Sequence, residues 1–196
     1  LDMSQDSANK GKTNVEELLK KRVSRQRMDQ ETADATLARI HATTSFDDLA
    51  GSDLVIEAVF EDRAVKAEVT KKALAVTGDE IIFASNTSTL PITGLAAASG
   101  RPDNFIGLHF FSPVDRMPLV EIIMGEGTSS EALAKSIDYV KAIRKTPIVV
   151  KDARGFYTSR VFGTYVREGL ALLADGVSPA LIENAGKMAG MPVGPL

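Results

Sequence analysis

Between residues 53 and 151 short apolar runs alternate with longer amphipathic ones. The runs cover 53–59, 81–84, 105–111, 119–124 and 147–150. Each is short, rich in Val, Ile or Phe and bounded by Gly, Pro, Asp or Ser, which predicts strands. The first, Asp53-Leu54-Val55-Ile56-Glu57-Ala58-Val59, is near-continuously apolar, as suits a parallel strand covered on both faces. Helical patterns fill the gaps: about 63–76 with Val65, Val69, Leu74 and Val76; 92–98; and 129–145 with Leu133, Ile137, Val140 and Ile143 behind an N-cap serine. Strand alternating with helix predicts a layered α/β domain with a mostly parallel sheet.

The flanks differ. Residues 10–41 read as two helices. In the first, Val15, Leu18, Leu19 and Val23 share one face; in the second, about 30–40, Ala33, Leu37 and Ile40 do. His41 is a cap or a surface residue. Phe46-Asp47-Asp48-Leu49 is turn-rich. After Gly155 the strands stop. Residues 156–174 form one long helical pattern, and Ser178-Pro179 opens another that runs to about Gly190. The expected division is an α/β domain over 1–153 and the start of an all-helical domain over 154–196. Two helices cannot bury a core alone, so those of the second part need a further surface.

Candidate chemistry gathers between 81 and 124. Ser85-Asn86-Thr87-Ser88 follows a strand, where ligands of open α/β sheets bind; it is a binding turn, or an N-cap for the helix at Ile92. His109 ends one strand and Glu121 lies inside the next, flanked by Val120, Ile122 and Ile123. A carboxylate there is costly to bury unpaired, which makes His109 its expected partner; the alternative is an edge strand with both exposed. Glu61 and Asp62 suit a helix N-terminus. Lys20, Lys21, Arg22, Arg25 and Arg27 are a solvated helix end or a basic rim for an anionic substrate.

Composition narrows the classes. With 23 Lys and Arg against 26 Asp and Glu, and no basic block, neither nucleic acid nor an anionic membrane is the expected partner. No cysteine is present, so disulfides, thiolate metal sites and thiol nucleophiles are excluded, and no metal is expected. No apolar run approaches the ~20 residues needed for membrane insertion, nor does a signal-peptide pattern open the chain. A cytoplasmic setting fits. Leu1-Asp2 reads as the tail of a strand and Gly194-Pro195-Leu196 as an abrupt stop, which leads us to expect a piece of something longer.

Taken together, Val55 to Glu61, Phe83 to Ser88, Gly107 to Pro113, Leu119 to Ile122, Asp152 to Arg160 and Gly190 to Pro195 resemble the L-3-hydroxyacyl-CoA dehydrogenases of fatty-acid β-oxidation, including the dehydrogenase part of multifunctional β-oxidation proteins. The resemblance implies a Rossmann-like NAD domain, here without its first strand, glycine turn and first helix, and a helical domain that dimerises or belongs to a larger multifunctional chain. The residues alone would then bind NAD poorly and be inactive. It also implies reversible oxidation of an L-3-hydroxyacyl-CoA to the 3-oxoacyl-CoA. His109 would be the acid/base, Glu121 its partner and Ser88 the contact to the substrate's 3-oxygen. Asp2 would hold the adenosine ribose; Ala58, Val59, Glu61, Lys66, Asn86 and Ser88 would line the NAD site; Lys21 and Arg25 would meet coenzyme A. Ser159-Arg160 stands where many members have Asn-Arg. A serine has a shorter reach and lacks the amide's paired donor and acceptor, so that contact is direct or passes through water. The rival expectations are a related dehydrogenase of a non-CoA β-hydroxy acid and an inactive acyl-CoA-binding or assembly module.

Overall fold

The computed structural model describes residues 1–196, which pack as two compact units: Leu1–Ser52 with Lys72–Asp79, and Asp53–Lys71 with Glu80–Leu196. Residues 154–196 belong to the same unit as the sheet, because their first helix is anchored on a sheet carboxylate, described below.

The first unit is built on α1 (Gln5–Ser24) and α2 (Gln30–Ala38), which pack together through the buried Leu19 and Ala33. Helix α1 begins well before residue 10. Ser4 caps it by accepting the Ser7 N–H at 3.2 Å, and the first turns are polar and exposed, so no apolar period marks them. Asp29 caps α2, accepting the Thr32 N–H at 2.6 Å. Helix α2 ends at Ala38, and His41 is exposed beside Asp48. Phe46–Leu49 is a single 3-10 turn.

The second unit carries a five-stranded sheet in sequential order: β1 (Leu54–Glu57), β2 (Ile82–Ser85), β3 (Phe105–Phe110), β4 (Leu119–Met124) and β5 (Thr146–Lys151). Strands β1, β2 and β3 are parallel, β4 runs antiparallel to β3, and β5 is parallel to β4. The connections are α3 (Arg63–Leu74), α4 (Ile92–Ala96) and α5 (Ser130–Ala142), followed by α6 (Thr158–Ala174) and α7 (Pro179–Met188). On one face Ile82, Ala84, Ile106, Leu108, Val120 and Ile122 meet Ala132 and Val140 of α5. Each fully buried Ile or Leu there contributes about 1.5–3 kcal/mol. On the other, Phe83 stacks on Phe105 at 5.4 Å, and Ile92 lies fully buried. Gly107 makes that close approach possible, since a Cβ there would sit 2.8 Å from Ile92 Cδ1 and 2.9 Å from Ile123.

Three expectations are corrected. Leu54, Val55 and Ile56 are only half-buried, because β1 ends the sheet order and pairs with β2 alone. Helix α4 is not capped by the Ser-Asn-Thr-Ser turn: its cap position is Pro91, and the Asp152 carboxylate supplies the acceptors, taking the Ile92 N–H (2.9 Å), the Thr93 N–H (2.8 Å) and the Thr93 hydroxyl (2.6 Å). Finally, Phe156 precedes α6 instead of opening it, in a left-handed conformation at φ 46°. Pro147, which has no N–H to donate, is tolerated in β5 because that strand closes the other end of the sheet. The outward face of α6 leaves Val161, Phe162, Leu170 and Leu173 about half exposed, in line with the expectation that two helices alone do not bury their apolar residues.

Candidate active site

The antiparallel register of β3 and β4 sets His109 directly opposite Glu121, so the two side chains share a face. Their separation is 2.7 Å from Nδ1 to Oε2, and both are buried. The exposed edge-strand alternative is therefore excluded. Glu121 Oε1 accepts the backbone N–H groups of Tyr157 (3.1 Å) and Thr158 (2.9 Å); Oε2 also accepts the Thr158 hydroxyl at 2.9 Å. The carboxylate thus caps the N-terminus of α6, which has no side-chain cap of its own and where negative charge is favoured. Burial pushes the Glu121 carboxyl up, but the hydrogen bonds from His109, Thr158 and Tyr157 outweigh it and hold the group below its ordinary value. An ionised carboxylate only accepts. Nδ1 is accordingly the donor in this pair, and Nε2 is the ring nitrogen left for another partner. The rings of Phe111 and Phe156 flank the imidazole, their centroids 4.4 Å and 6.2 Å away.

A second network ties together the carboxyl ends of β1 and β2. Lys66, 2% exposed, places Nζ 3.1 Å from both oxygens of the buried Glu57, 3.4 Å from Glu61 Oε2 and 3.3 Å from the Val59 carbonyl. Glu57 also accepts the Val59 N–H at 3.1 Å and a short hydrogen bond from the Ser85 hydroxyl. Glu61 Oε1 collects the Thr87 hydroxyl (2.5 Å), the Ser88 and Thr89 N–H groups (3.1 Å each) and the Thr89 hydroxyl (3.1 Å); the Ser88 hydroxyl stands at 3.5 Å. Burial raises Glu61, yet the Thr87 hydroxyl, the backbone donors and the Lys66 charge outweigh it and bring the carboxyl down to about 2. Asn86 bridges two strand ends: its N–H donates to the Glu57 carbonyl and its Oδ1 accepts the Phe110 N–H, both at 2.8 Å.

Of the residues singled out in the sequence, His109, Asn86, Ser88, Glu61, Ala58 and Val59 lie at the neighbouring ends of β1, β2 and β3 or in the loops that follow them, while Glu121 reaches His109 from β4 and Lys66 reaches Glu57 and Glu61 from α3. Lys66 faces inward onto two carboxylates and exposes almost no surface of its own. Ser159 is half-buried in the first turn of α6, next to Thr158. Asp2, Lys21 and Arg25 belong to the other unit and are exposed. Three residues with a part here were not anticipated. Glu57 carried a readable signal, a carboxylate inside an apolar run, the same one that marked Glu121. Asp152 and Thr158 carried none beyond being small and polar.

Parallel strands β1, β2 and β3 that gather polar side chains at their carboxyl ends, with a buried imidazole–carboxylate pair across β3 and β4, define an α/β domain of the nucleotide-binding kind. The chain belongs to the 3-hydroxyacyl-CoA dehydrogenase family: residues 1–153 match the family's NAD binding domain and residues 155–196 its C-terminal domain. It is 45% identical to the fatty acid oxidation complex subunit alpha of Shewanella halifaxensis over 91% of this chain, and 43% identical to that of Shewanella amazonensis over 97%. It spans 25% and 28% of those proteins, about a quarter of the length of the curated relatives it matches. Among solved structures, (S)-3-hydroxybutyryl-CoA dehydrogenase from Ralstonia eutropha superposes with a TM-score of 0.96 at 37% identity, over all of this chain and 70% of that one. The 3-hydroxybutyryl-CoA dehydrogenase of Escherichia coli gives 0.94 at 32%, over all of this chain and 42% of that one.

The donor set at the strand ends fits the nicotinamide half of NAD. Asn86 commits its oxygen to Phe110, which leaves its Nδ2 hydrogens for a ligand acceptor. Ala58 and Phe60 offer exposed apolar surface beside it, Phe60 being 77% exposed. The 196 residues contain no G-x-G-x-x-G, so a glycine cradle for the pyrophosphate is not among them.

Proposed function

We propose that this chain supplies the acid–base residues for the reversible, NAD-dependent oxidation of an L-3-hydroxyacyl-CoA to the 3-oxoacyl-CoA, a step of fatty-acid β-oxidation. The observation that carries the reading is the buried His109–Glu121 pair, with Nδ1 2.7 Å from Oε2 and Nε2 left as the ring nitrogen for a substrate. NAD bound at the strand ends beside Asn86 would supply the acceptor for the hydride that leaves C3. His109 Nε2 takes the proton from the 3-hydroxyl, and Glu121 stabilises the imidazolium that results. Ser88, fixed through Glu61, orients the same oxygen and supports the charge that develops on it. Ser159, at the start of α6, adds a substrate contact. Asp2 binds the adenosine ribose, and Lys21 with Arg25 meets the phosphates of coenzyme A. The names of the Shewanella relatives, subunits of a fatty acid oxidation complex, support a place in a larger multifunctional chain. The half-exposed apolar face of α6 supports pairing with a second copy through the helical part. The setting we propose is the cytoplasm.

The test is His109→Gln in the full-length chain, assayed by NADH consumption with acetoacetyl-CoA. Turnover should fall by about 10²–10⁴-fold, the usual worth of a positioned acid–base group, while acyl-CoA binding stays near that of the parent. Near-normal turnover would refute the reading.

A further inference from the structure

Thr158 has no part in the mechanism above, yet its side chain reaches the centre of it. We propose that Thr158 is a positioning residue for the proton transfer, its hydroxyl setting how strongly Glu121 draws on His109; this rests on the reading that His109 moves the proton. Four donors divide the Glu121 charge. Two backbone N–H groups occupy Oε1, while the Thr158 hydroxyl and His109 Nδ1 share Oε2 at 2.9 Å and 2.7 Å. The hydroxyl can only donate here, because an ionised carboxylate has nothing to give it. Each hydrogen bond to the charged form stabilises that form and spreads its charge. A hydroxyl on Oε2 therefore lowers the negative potential felt at Nδ1–H. The imidazolium gains less than it would from a carboxylate bound by backbone alone.

No other charge does this work. Phe111 and Phe156 cover the ring, and Ile148 of β5 stands opposite Glu121. The nearest charged side chain along α6 is Arg160, which is exposed, as is Lys151 at the end of β5. At the end of β1, Glu61 is engaged by Thr87, Ser88, Thr89 and Lys66.

The experiment compares Thr158→Val, Thr158→Ala and Thr158→Ser in the full-length chain, following kcat/KM for acetoacetyl-CoA reduction against pH at saturating NADH. Loss of the hydroxyl in the Val and Ala variants should move the alkaline limb of the profile to higher pH. Thr158→Ser should restore the parent profile. Profiles that superimpose for all four proteins overturn the proposal, and so does a Ser variant displaced like Ala. A Thr158→Ala chain that unfolds, judged by circular dichroism, also overturns it, in favour of a purely structural role. The two readings fail separately: an active His109→Gln removes the acid–base assignment itself, whereas an inactive His109→Gln beside unmoved Thr158 profiles removes only the role of Thr158.

Discussion

Lys66 stands between two carboxylates while Glu57 has a single cation, and that asymmetry predicts unequal losses. Replacing Lys66 with Met keeps much of the side-chain volume but removes the only positive charge within reach of Glu57, whose side chain is 2% exposed. Glu57 would keep the Val59 N–H and the Ser85 hydroxyl as donors, which do not neutralise a buried charge. Breaking a buried pair from one side costs about 3–5 kcal/mol. Glu57→Gln removes the opposite charge, yet Lys66 still has Glu61 at 3.4 Å and the Val59 carbonyl at 3.3 Å. The glutamine amide can also donate to Ser85, whose hydroxyl is able to turn and accept. Glu57→Gln should therefore cost about 1.5–3 kcal/mol, the net worth of a single hydrogen bond to a charged group. Stability is best read by urea titration with circular dichroism at 222 nm, since the chain has no tryptophan to report by fluorescence. A Lys66→Met loss below about 1 kcal/mol, or a Glu57→Gln loss equal to or above it, would refute this reasoning.

Other consequences follow from the same networks. Asp152→Ala removes the acceptors that cap α4 and should destabilise the protein by about 0.5–2 kcal/mol, visible as a lower Tm; an unchanged Tm would show that water replaces the carboxylate at no loss. Glu61, held at about 2 against an ordinary value of 4.5, has its folded value depressed. Its contribution to stability is thus complete above about 4.5 and is lost as the pH falls toward about 2. Thr87→Val should raise the Glu61 midpoint in a carboxyl ¹³C NMR titration and start acid unfolding at higher pH; an unmoved midpoint would contradict the hydrogen-bond account.

The sheet was readable because each strand is one apolar run closed at both ends by turn residues, and the order of runs and helical patterns leaves few topologies. The pairing of His109 with Glu121 was readable for a different reason. A carboxylate set among Val120, Ile122 and Ile123 must find a partner, and the strand before it offered a histidine. The same reasoning applied to Glu57 would have exposed the Lys66 network. Local reasoning failed where the decisive partner was distant. Ser85 to Ser88 look like a cap for α4 until Asp152, some 60 residues away, is seen to supply the acceptors. The start of α1 was lost because its first turns are polar on every side and leave no period to read. Thr158 was invisible, since nothing around it in the chain distinguishes a threonine that meets a buried carboxylate from one that meets water.

Helices α4 and α6 both begin without a side-chain cap, at Pro91 and Tyr157, and both are capped by a carboxylate from elsewhere in the chain. For α4 the arrangement is structural. For α6 the capping carboxylate is also the partner of His109, so one side chain serves the fold and the proposed chemistry together. The consequence is a constraint on tuning. Two of the donors that hold Glu121 are main-chain groups whose removal would mean rebuilding the start of α6, and a third is the imidazole itself. The Thr158 hydroxyl is the remaining one. It is therefore the single point in this cluster where a change of side chain alters the carboxylate's charge distribution and leaves both the helix cap and the imidazole in place.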